Sequence, residues 1–218
     1  MDYLRDIDWK NNDGVFLPML NDFRRNWFYE RTLSTSVRDQ ECVDIGFGTG
    51  LLSLIALKHG AKHITAYESN ETRYRLGQYI IQKLNLADKI NLKNEEFKFY
   101  QYEQDKVYFS EIVNSSLWGE NLFKVMPRQP GIKFLPNNYF LEIHAVPIPE
   151  TFAARLFQSD RQHSFFDPGI DINPTFVETI NELMGTTITK PKNNLGSPEH
   201  HSSTIWGGWS FLKARSEE

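Results

Sequence analysis

Short apolar runs alternate with segments of helical periodicity between residue 41 and about residue 146. This alternation is typical of β-α repeats, which build a parallel sheet covered by helices. It predicts strands near CVDIG, HITAYE, INLKN, VYFSE and YFLEIHAVPI. The fold class that we expect is therefore α/β, with a five-strand parallel core, helices on both faces of the sheet, and an antiparallel addition from YFLEIHAVPI onward.

The same periodicity predicts helices between these strands. LPMLNDFRRNWFYERTL is an amphipathic pattern leading into the sheet, and LLSLIALKHG, which ends at Gly60, follows the first strand. In ETRYRLGQYIIQKLNL the apolar side chains at helical spacing predict one buried stripe, made of Tyr74, Ile80, Ile81 and Leu84. We interpret these stripes as parts of the core.

The composition changes after Pro147. PIPE, FFDPGIDINP and TKPKNNLGSPEHHSS are rich in Pro, Gly and Asn, and PTFVETINELM is the helical pattern among them. We therefore expect an amino-terminal helical segment at 1–40, a sheet domain at 41–147 and a shortened β-rich segment at 148–218. The part after residue 150 is not expected to fold independently.

Bulk composition excludes several classes of partner. The 218 residues carry a net charge of -4 with mixed acids and bases, so we expect no direct nucleic-acid contact and no membrane surface. No apolar run approaches the roughly 18 residues that span a bilayer, and the amino terminus lacks a signal layout. The single cysteine, Cys42, fits a reducing compartment. We predict a cytoplasmic protein, or a nuclear one if the source is eukaryotic.

A glycine-rich loop follows the first predicted strand. In VDIGFGTGLLS, Asp44 precedes Gly46, Gly48 and Gly50, and a helix follows. Glycines let the backbone turn sharply and approach a ligand at the carboxyl edge of the sheet. A dinucleotide fingerprint has the form GxGxxG, whereas this loop has an acid ahead of its glycines. A cationic ligand tolerates that carboxylate better than a pyrophosphate does.

Acids also follow the next two strands. Glu68 ends HITAYE, eighteen residues after Gly50. A carboxylate there can accept both hydroxyls of a ribose, each bond contributing about 1.5 to 3 kcal/mol. Together with the glycine loop it predicts a nucleoside ligand. Glu95 and Glu96 follow INLKN, close to where an adenine amino group would be bound, but either of them could equally be a solvated acid.

Two further acids flank a polar loop after the fourth strand. In SEIVNSSLWGE, Glu111 and Glu120 stand nine positions apart. Taken alone, the pattern also fits a loop whose glutamates are solvated. A functional role for the two acids requires a ligand group that both carboxylates can bind at the same time.

The chain resembles known methyltransferases in these motifs. VDIGFGTGLLSLIALKHGAKHITAYE is similar to the glycine loop and acid of class I S-adenosylmethionine-dependent methyltransferases. More narrowly, the chain resembles the protein arginine methyltransferases over about residues 17–146 and 197–212, in MLNDFRRNWFY, the glycine loop with Glu68, SEIVNSSLWGE and SPEHHSSTIWGGWSF. The resemblance implies a Rossmann-like class I methyltransferase sheet with a shortened carboxyl-terminal segment, and S-adenosyl-L-methionine as cofactor.

The resemblance also implies roles for individual residues. Arg25 would hold the methionine carboxylate of the cofactor, a role that suits its planar fork, and the segment 1–40 would cover the cofactor. The implied cofactor-binding residues are Met19, Arg25, Asp44, Gly46, Gly48, Glu68 and Glu96. Glu111 and Glu120 would be catalytic, and Trp206 would lie in a loop beside the substrate. No metal is implied.

Two glutamates suit an arginine substrate. A guanidinium, with a pKa above 12, presents almost no free lone pair at neutral pH, and deprotonating it first costs about 8 kcal/mol at pH 7. Two converging carboxylates instead fix its plane and draw positive charge away from the attacking nitrogen. Within the loop, NSSLWG resembles the monomethylating lineage, and Ile112 or Trp118 would add bulk beside the substrate. We therefore expect an arginine-containing protein or peptide as substrate.

The sequence departs from the family pattern in its carboxyl-terminal part. Ile205 stands where the family has a histidine, so that His200 or His201 would have to replace it or else remains solvated. The family has an aromatic pair ahead of its amino-terminal helix that closes over cofactor and substrate. That pair is missing from NNDGVFLP, where Phe16 is the nearest substitute. About 57 residues separate Pro147 from Thr204, too few for a complete barrel and dimerisation arm. A reduced, a partner-dependent or a truncated enzyme fits this length, and a homodimer stays open.

Two other functions also fit the sequence. A class I methyltransferase that modifies a small molecule or another residue would keep the glycine loop and Glu68, with the paired acids incidental. A non-catalytic interaction module would keep the fold, and the missing histidine favours it. A nicotinamide oxidoreductase is a distant third, because the glycine fingerprint is wrong for it.

Overall fold

The structure, a computed structural model, describes residues 20–112, 122–142, 169–183 and 211–215. In chain order its elements are α1 (Phe23–Ser34), β1 (Glu41–Ile45), α2 (Leu51–Lys58), β2 (His63–Tyr67), α3 (Glu71–Lys83), β3 (Ile90–Lys93), a 3-10 turn (Phe99–Gln101), β4 (Val107–Ser110), α4 (Leu122–Val125), β5 (Lys133–Leu135), β6 (Asn138–Glu142), α5 (Pro174–Leu183) and β7 (Phe211–Arg215). Within these ranges no helix is long and apolar enough to cross a membrane.

Five strands form one parallel sheet in the order β3-β2-β1-β4-β5. The central strand β1 pairs with β2 on one side and with β4 on the other, so that Asp44 lies opposite Ala66 and Phe109. Because the strands are parallel, the segments that leave β1, β2 and β4 meet at the carboxyl edge of the sheet. The predicted α/β parallel sheet is confirmed.

The fifth parallel strand differs from the prediction. It is β5, the tripeptide KFL, whereas the predicted YFLEIHAVPI contains β6, which pairs antiparallel with β7. A strand of three residues, in a stretch of four between Gly131 and Pro136, is too short to produce a recognisable alternation, which explains the omission. The expected antiparallel addition is confirmed as the β6–β7 pair.

Side chains from alternate positions of the strands pack on both faces of the sheet. On one face, strand residues such as Cys42, Ile64 and Phe109 pack in a single cluster with α1, α2, α3 and α5, whose buried members include Leu33, Ile55, Ile80, Phe176 and Ile180. The opposite face carries an aromatic cluster with Tyr67, Phe97, Tyr102, Tyr108 and Phe134, joined by Val125 of α4. Burial of this apolar area is the main stabilisation of the sheet.

The buried stripe of α3 agrees with the prediction except at one position. Ile80, Ile81 and Leu84 are buried as expected, together with Leu76 and Gly77. Tyr74 is only half-buried. Its hydroxyl accepts a hydrogen bond from Nε2 of the exposed Gln78 at 2.8 Å, which holds the ring toward the surface of the helix. The prediction that Tyr74 belongs to the stripe is therefore wrong.

The carboxyl-terminal helix packs against the sheet domain. Phe176 and Ile180 of α5 are fully buried in the same cluster as side chains of α1, α2 and α3. The prediction that the part after residue 150 does not fold independently stays a prediction. The predicted boundary near residue 147 lies outside the described residues and stays a prediction.

Phe47, in the middle of the glycine loop, is wedged between two glycines. A Cβ added at Gly50 would lie 2.5 Å from the Phe47 ring. A Cβ added at Gly77 of α3 would lie 2.8 Å from the same ring and 2.7 Å from Leu92 Cδ2. Close approach of α3 to the loop therefore requires glycine at position 77.

We expect Gly77→Ala to lower the free energy of unfolding by about 1 to 2 kcal/mol. Overpacking of this kind costs about 1 to 3 kcal/mol, which exceeds the gain of roughly 1 kcal/mol in helix propensity. Urea unfolding measures the effect, and Gln78→Ala, on the exposed side of the same helix, is the matched control. A Gly77→Ala protein as stable as the control would contradict this packing.

Candidate cofactor and substrate site

The glycine loop is held against the end of β2. Gly46, Gly48 and Gly50 all have positive φ angles, of 87°, 54° and 82°. The backbone N–H groups of Gly46 and Phe47 both donate to the carbonyl of Tyr67, at 3.0 and 2.9 Å. A Cβ at Gly46 would lie 3.0 Å from Ile112 Cγ1, so the loop passes close to the segment after β4. Glycine is required here by both conformation and space.

Glu68 lies directly after β2 and is buried, with 5% of its surface exposed. Its Oε2 accepts a hydrogen bond from Gly48 N at 2.9 Å, and its Oε1 accepts one from Asn70 N at 2.9 Å. A carboxylate offers about four lone-pair positions, so each oxygen keeps room for a further donor. Glu68 is thus held against the glycine loop, and each of its oxygens can still accept a hydrogen bond from one hydroxyl of a diol.

Asp44 is a buried acid beneath the loop. Its Oδ2 accepts a hydrogen bond from Ser53 Oγ at 2.6 Å, while its buried Oδ1 has no partner among the described residues. Burial raises the pKa of Asp44 to about 7, and the nearby charge of Glu68 adds to the rise, although the Ser53 hydrogen bond opposes it. An unpaired carboxylate oxygen here fits a ligand that supplies a donor or a positive charge.

Arg25 and Glu111 form a two-pronged ion pair. Arg25 Nε donates to Glu111 Oε1, and Arg25 Nη2 pairs with Glu111 Oε2. Its Nη1 donates to Asn26 Oδ1 at 2.9 Å, and its guanidinium carbon lies 5.5 Å from the centroid of the Tyr29 ring. Burial lowers the pKa of Arg25 to about 10, so the guanidinium stays charged at neutral pH. A predicted cofactor residue and a predicted catalytic residue are therefore in direct contact.

Ser110 and Tyr29 fix the backbone beside this pair. Ser110 Oγ donates to the carbonyl of Ile45 at 2.7 Å, which ties the end of β4 to the end of β1. Tyr29 Oη donates to the Ser110 carbonyl at 3.4 Å. Burial raises the pKa of Tyr29 to about 12, so it stays a donor. The sequence gives no signal for Ser110, and it gives Tyr29 only as the last residue of MLNDFRRNWFY.

Other predicted residues are exposed or lie outside the described ranges. The Glu96 carboxylate is half exposed and pairs with Lys98, which lowers the pKa of Glu96. Met19, Glu120 and Trp206 are outside the described residues, as are Trp118, His200, His201 and Ile205. No group of three or more potential metal ligands occurs in the part of the chain that the structure describes.

We expect Asp44→Asn to stabilise the ligand-free protein above pH 7. Asp44 has an ordinary pKa of 3.8 and a folded pKa of about 7, so between about pH 4 and pH 7 the folded protein holds a proton that the unfolded chain has lost. Stability therefore falls as the pH rises through this window. The isosteric amide has no such loss, and its advantage over the parent should grow from nothing near pH 4 to about 1 to 3 kcal/mol at pH 8.

Urea unfolding at a series of pH values measures this difference. Glu41→Gln, at the exposed start of the same strand, is the control for loss of a surface charge. An Asp44→Asn advantage that is the same at pH 4 and pH 8 would contradict a proton held by the buried carboxyl group.

Known proteins with related sequences are arginine methyltransferases, although no protein-family model matches the chain. Protein arginine N-methyltransferase 9 of Xenopus laevis is 30% identical over 131 residues, which is 57% of this chain and 16% of the relative. Protein arginine N-methyltransferase 1.6 of Arabidopsis thaliana is 27% identical over 180 residues, which is 76% of this chain and 25% of the relative. The chain thus spans a quarter or less of the length of these relatives.

A solved structure supports the fold. The Trypanosoma brucei PRMT1 enzyme-prozyme heterotetrameric complex with AdoHcy matches with a TM-score of 0.54 at 20% identity. The match covers 81% of this chain and 56% of that chain. Together with the strand order β3-β2-β1-β4-β5, it identifies the Rossmann-like sheet of class I methyltransferases.

Proposed function

Because the chain is a distant homologue of the protein arginine methyltransferases, we propose that it transfers a methyl group from S-adenosyl-L-methionine to a guanidinium nitrogen of arginine in a protein or peptide. One observation carries the proposal: at the carboxyl edge of the sheet, Glu68 bonds to the glycine loop, the loop passes close to the segment after β4, and Glu111 in that segment pairs with Arg25.

The residues present fit the cofactor. Glu68 has lone pairs left for the ribose hydroxyls. Oδ1 of Asp44, which no residue of the described ranges contacts by a hydrogen bond, suits the positively charged end of the ligand. When bound, the cofactor supplies a methyl group activated on a sulfonium. Met19, Gly46, Gly48 and Glu96 complete the proposed binding set.

Arg25 keeps free donors for a carboxylate. A guanidinium has five N–H groups. Glu111 takes the Nε donor and one Nη2 donor, and Asn26 takes one Nη1 donor. Among the described residues, one donor stays without a partner on each terminal nitrogen, which matches the two oxygens of the methionine carboxylate in a bidentate pair. Arg25 can therefore hold Glu111 and the cofactor at the same time.

Glu111 is the first of two proposed catalytic acids. Its carboxylate is held in place by Arg25, and each oxygen has a remaining lone pair for a substrate N–H. With Glu120 from the other end of the loop, it would fix the plane of the substrate guanidinium and draw positive charge away from the attacking nitrogen. A fixed carboxylate does this without reorganising during the reaction.

The predicted division at 1–40, 41–147 and 148–218 remains part of this proposal, with the first segment covering the cofactor and the last lying beside the substrate. We also propose that a partner takes part in the activity, either a second copy of the chain or another protein, by analogy with the Trypanosoma brucei enzyme-prozyme complex that the fold resembles. The expected location is the cytoplasm, or the nucleus in a eukaryote.

A binding module without catalysis is the second candidate function. One observation favours it: both oxygens of Glu111 already accept hydrogen bonds from Arg25, so the substrate guanidinium would have to share them. Such a module would bind the cofactor without transferring its methyl group, which the transfer assay below distinguishes.

We expect Glu68→Ala and Arg25→Ala each to weaken S-adenosylmethionine binding at least tenfold. Each change removes a charged hydrogen-bond partner worth about 1.5 to 3 kcal/mol. Calorimetric titration measures the affinity, and Arg24→Ala, the exposed neighbour on the same turn of α1, is the matched control. If both variants bind as tightly as the parent, the cofactor assignment is wrong.

We expect Glu111→Gln and Glu120→Gln each to slow methyl transfer by about a hundredfold or more. Glutamine keeps the shape of the side chain but removes the charge that orients and polarises the guanidinium. Cofactor affinity should change by no more than about threefold in Glu120→Gln, because the loss then falls on the substrate and transition state.

Incubation with radiolabelled S-adenosylmethionine and arginine-rich peptides, followed by amino-acid analysis, measures the transfer. Label on lysine or only on small molecules would point to the other class I methyltransferase activity. Cofactor binding without any transfer would favour the binding module, and near-normal arginine methylation by either variant would exclude the paired-carboxylate mechanism.

A further inference from the structure

Asn26 is a fully buried amide in the first turns of α1, with 0% of its surface exposed. Asparagine is a weak helix former, and a buried amide costs stability unless it is hydrogen-bonded. Within MLNDFRRNWFY, the resemblance implies roles for Met19 and Arg25 but none for Asn26. A buried polar group at an unfavourable position requires a specific structural reason.

The contacts of Asn26 give that reason. Its Nδ2 donates to the carbonyl of Leu20 at 2.7 Å, and its Oδ1 accepts from Arg25 Nη1 at 2.9 Å. Leu20 lies before the helix and is itself buried. Because the amide group is planar, the bond to the Leu20 carbonyl sets the direction in which Oδ1 faces the guanidinium.

The hydrogen bond to Asn26 Oδ1 holds Nη1 of Arg25, the nitrogen that the ion pair with Glu111 does not contact. Glu111 holds the Nε and Nη2 edge of the guanidinium, and the Tyr29 ring lies beside it. Glutamate has a flexible side chain, so the pair alone can tilt as a unit. A third contact at Nη1 removes that freedom and fixes the direction of the remaining Nη1 and Nη2 donors.

We propose that Asn26 is a positioning residue for the cofactor carboxylate, acting through Arg25. It holds the guanidinium so that its free edge, with one donor on each terminal nitrogen, faces the ligand before binding. Preorganisation of this kind raises affinity because the Arg25 side chain loses less conformational entropy when the ligand binds. The inference rests on the proposed function, which assigns the methionine carboxylate to Arg25.

The test compares two ligands that differ in the carboxylate. S-adenosylhomocysteine carries the amino-acid carboxylate, whereas 5′-methylthioadenosine has the same thioether nucleoside without the amino-acid group. We expect Asn26→Ala to weaken binding of S-adenosylhomocysteine about tenfold and to change that of 5′-methylthioadenosine by no more than about twofold. Calorimetric titration measures both affinities. An equal loss for both ligands, or no loss, would overturn the proposal.

A double-mutant cycle separates positioning from a general effect on the helix. In the Arg25→Ala background, Asn26→Ala should change the affinity for S-adenosylhomocysteine by no more than about twofold, since its effect passes through the missing guanidinium. A further tenfold loss there would show that Asn26 acts independently of Arg25 and would overturn the proposal.

Two more variants address folding. Asn26→Leu keeps the branched shape of the side chain, with a larger volume and without the hydrogen bonds, and should show the same ligand selectivity as Asn26→Ala. Thr32→Ala removes another buried polar group from α1 and should leave the ratio of the two affinities unchanged. A parent protein that binds neither nucleoside would reject the proposed function itself, whereas binding of both with an unselective Asn26→Ala would reject only the positioning role.

Discussion

The ion pair between Arg25 and Glu111 joins two segments that lie 86 residues apart in the chain. Burial of a guanidinium is costly, as the lowered pKa of Arg25 reflects. The cost is offset because the planar fork of arginine meets both carboxylate oxygens, while Asn26 and the Tyr29 ring satisfy its other sides. Removal of either partner would leave a buried charge unpaired, so the position of α1 and the conformation after β4 depend on each other.

The parallel sheet makes this pairing possible. Since β1 lies between β2 and β4, the segments that leave these three strands start side by side. Gly46 and Phe47 bond to the end of β2, and Ser110 bonds to the end of β1. The Asp22 side chain accepts from the N–H groups of Arg24 and Arg25, both at 3.1 Å, and so fixes where α1 begins. Hydrogen bonds to backbone groups therefore place the elements of the site before any side chain meets a ligand.

The sequence predicts those features that depend on neighbouring residues in the chain, namely the first four strands and the glycine loop. The first four strands are apolar runs of ordinary length, and the positive φ angles of the loop require residues such as Gly46. The tripeptide β5 is too short to give a pattern, and the apolar spacing of α3 does not show the hydrogen bond that joins Tyr74 to the exposed Gln78. The contact of Arg25 with Glu111 depends on how α1 packs across the sheet edge, which no local spacing encodes. Asn26 gives no sequence signal, because a polar residue in an amphipathic helix is ordinarily exposed.

The charges at the carboxyl edge are not balanced within the described site. Arg25 neutralises Glu111, and Glu68 is bonded by two backbone N–H groups, but one oxygen of Asp44 has no partner there and its carboxyl group is destabilised in the charged form. A pyrophosphate would add negative charge beside these acids and so increase the imbalance. A ligand with a positive charge would reduce it, so that binding would recover stability that the buried acid costs the empty fold. Within the proposed function, this electrostatic difference explains why a glycine loop preceded by an acid suits a sulfonium nucleoside better than a dinucleotide.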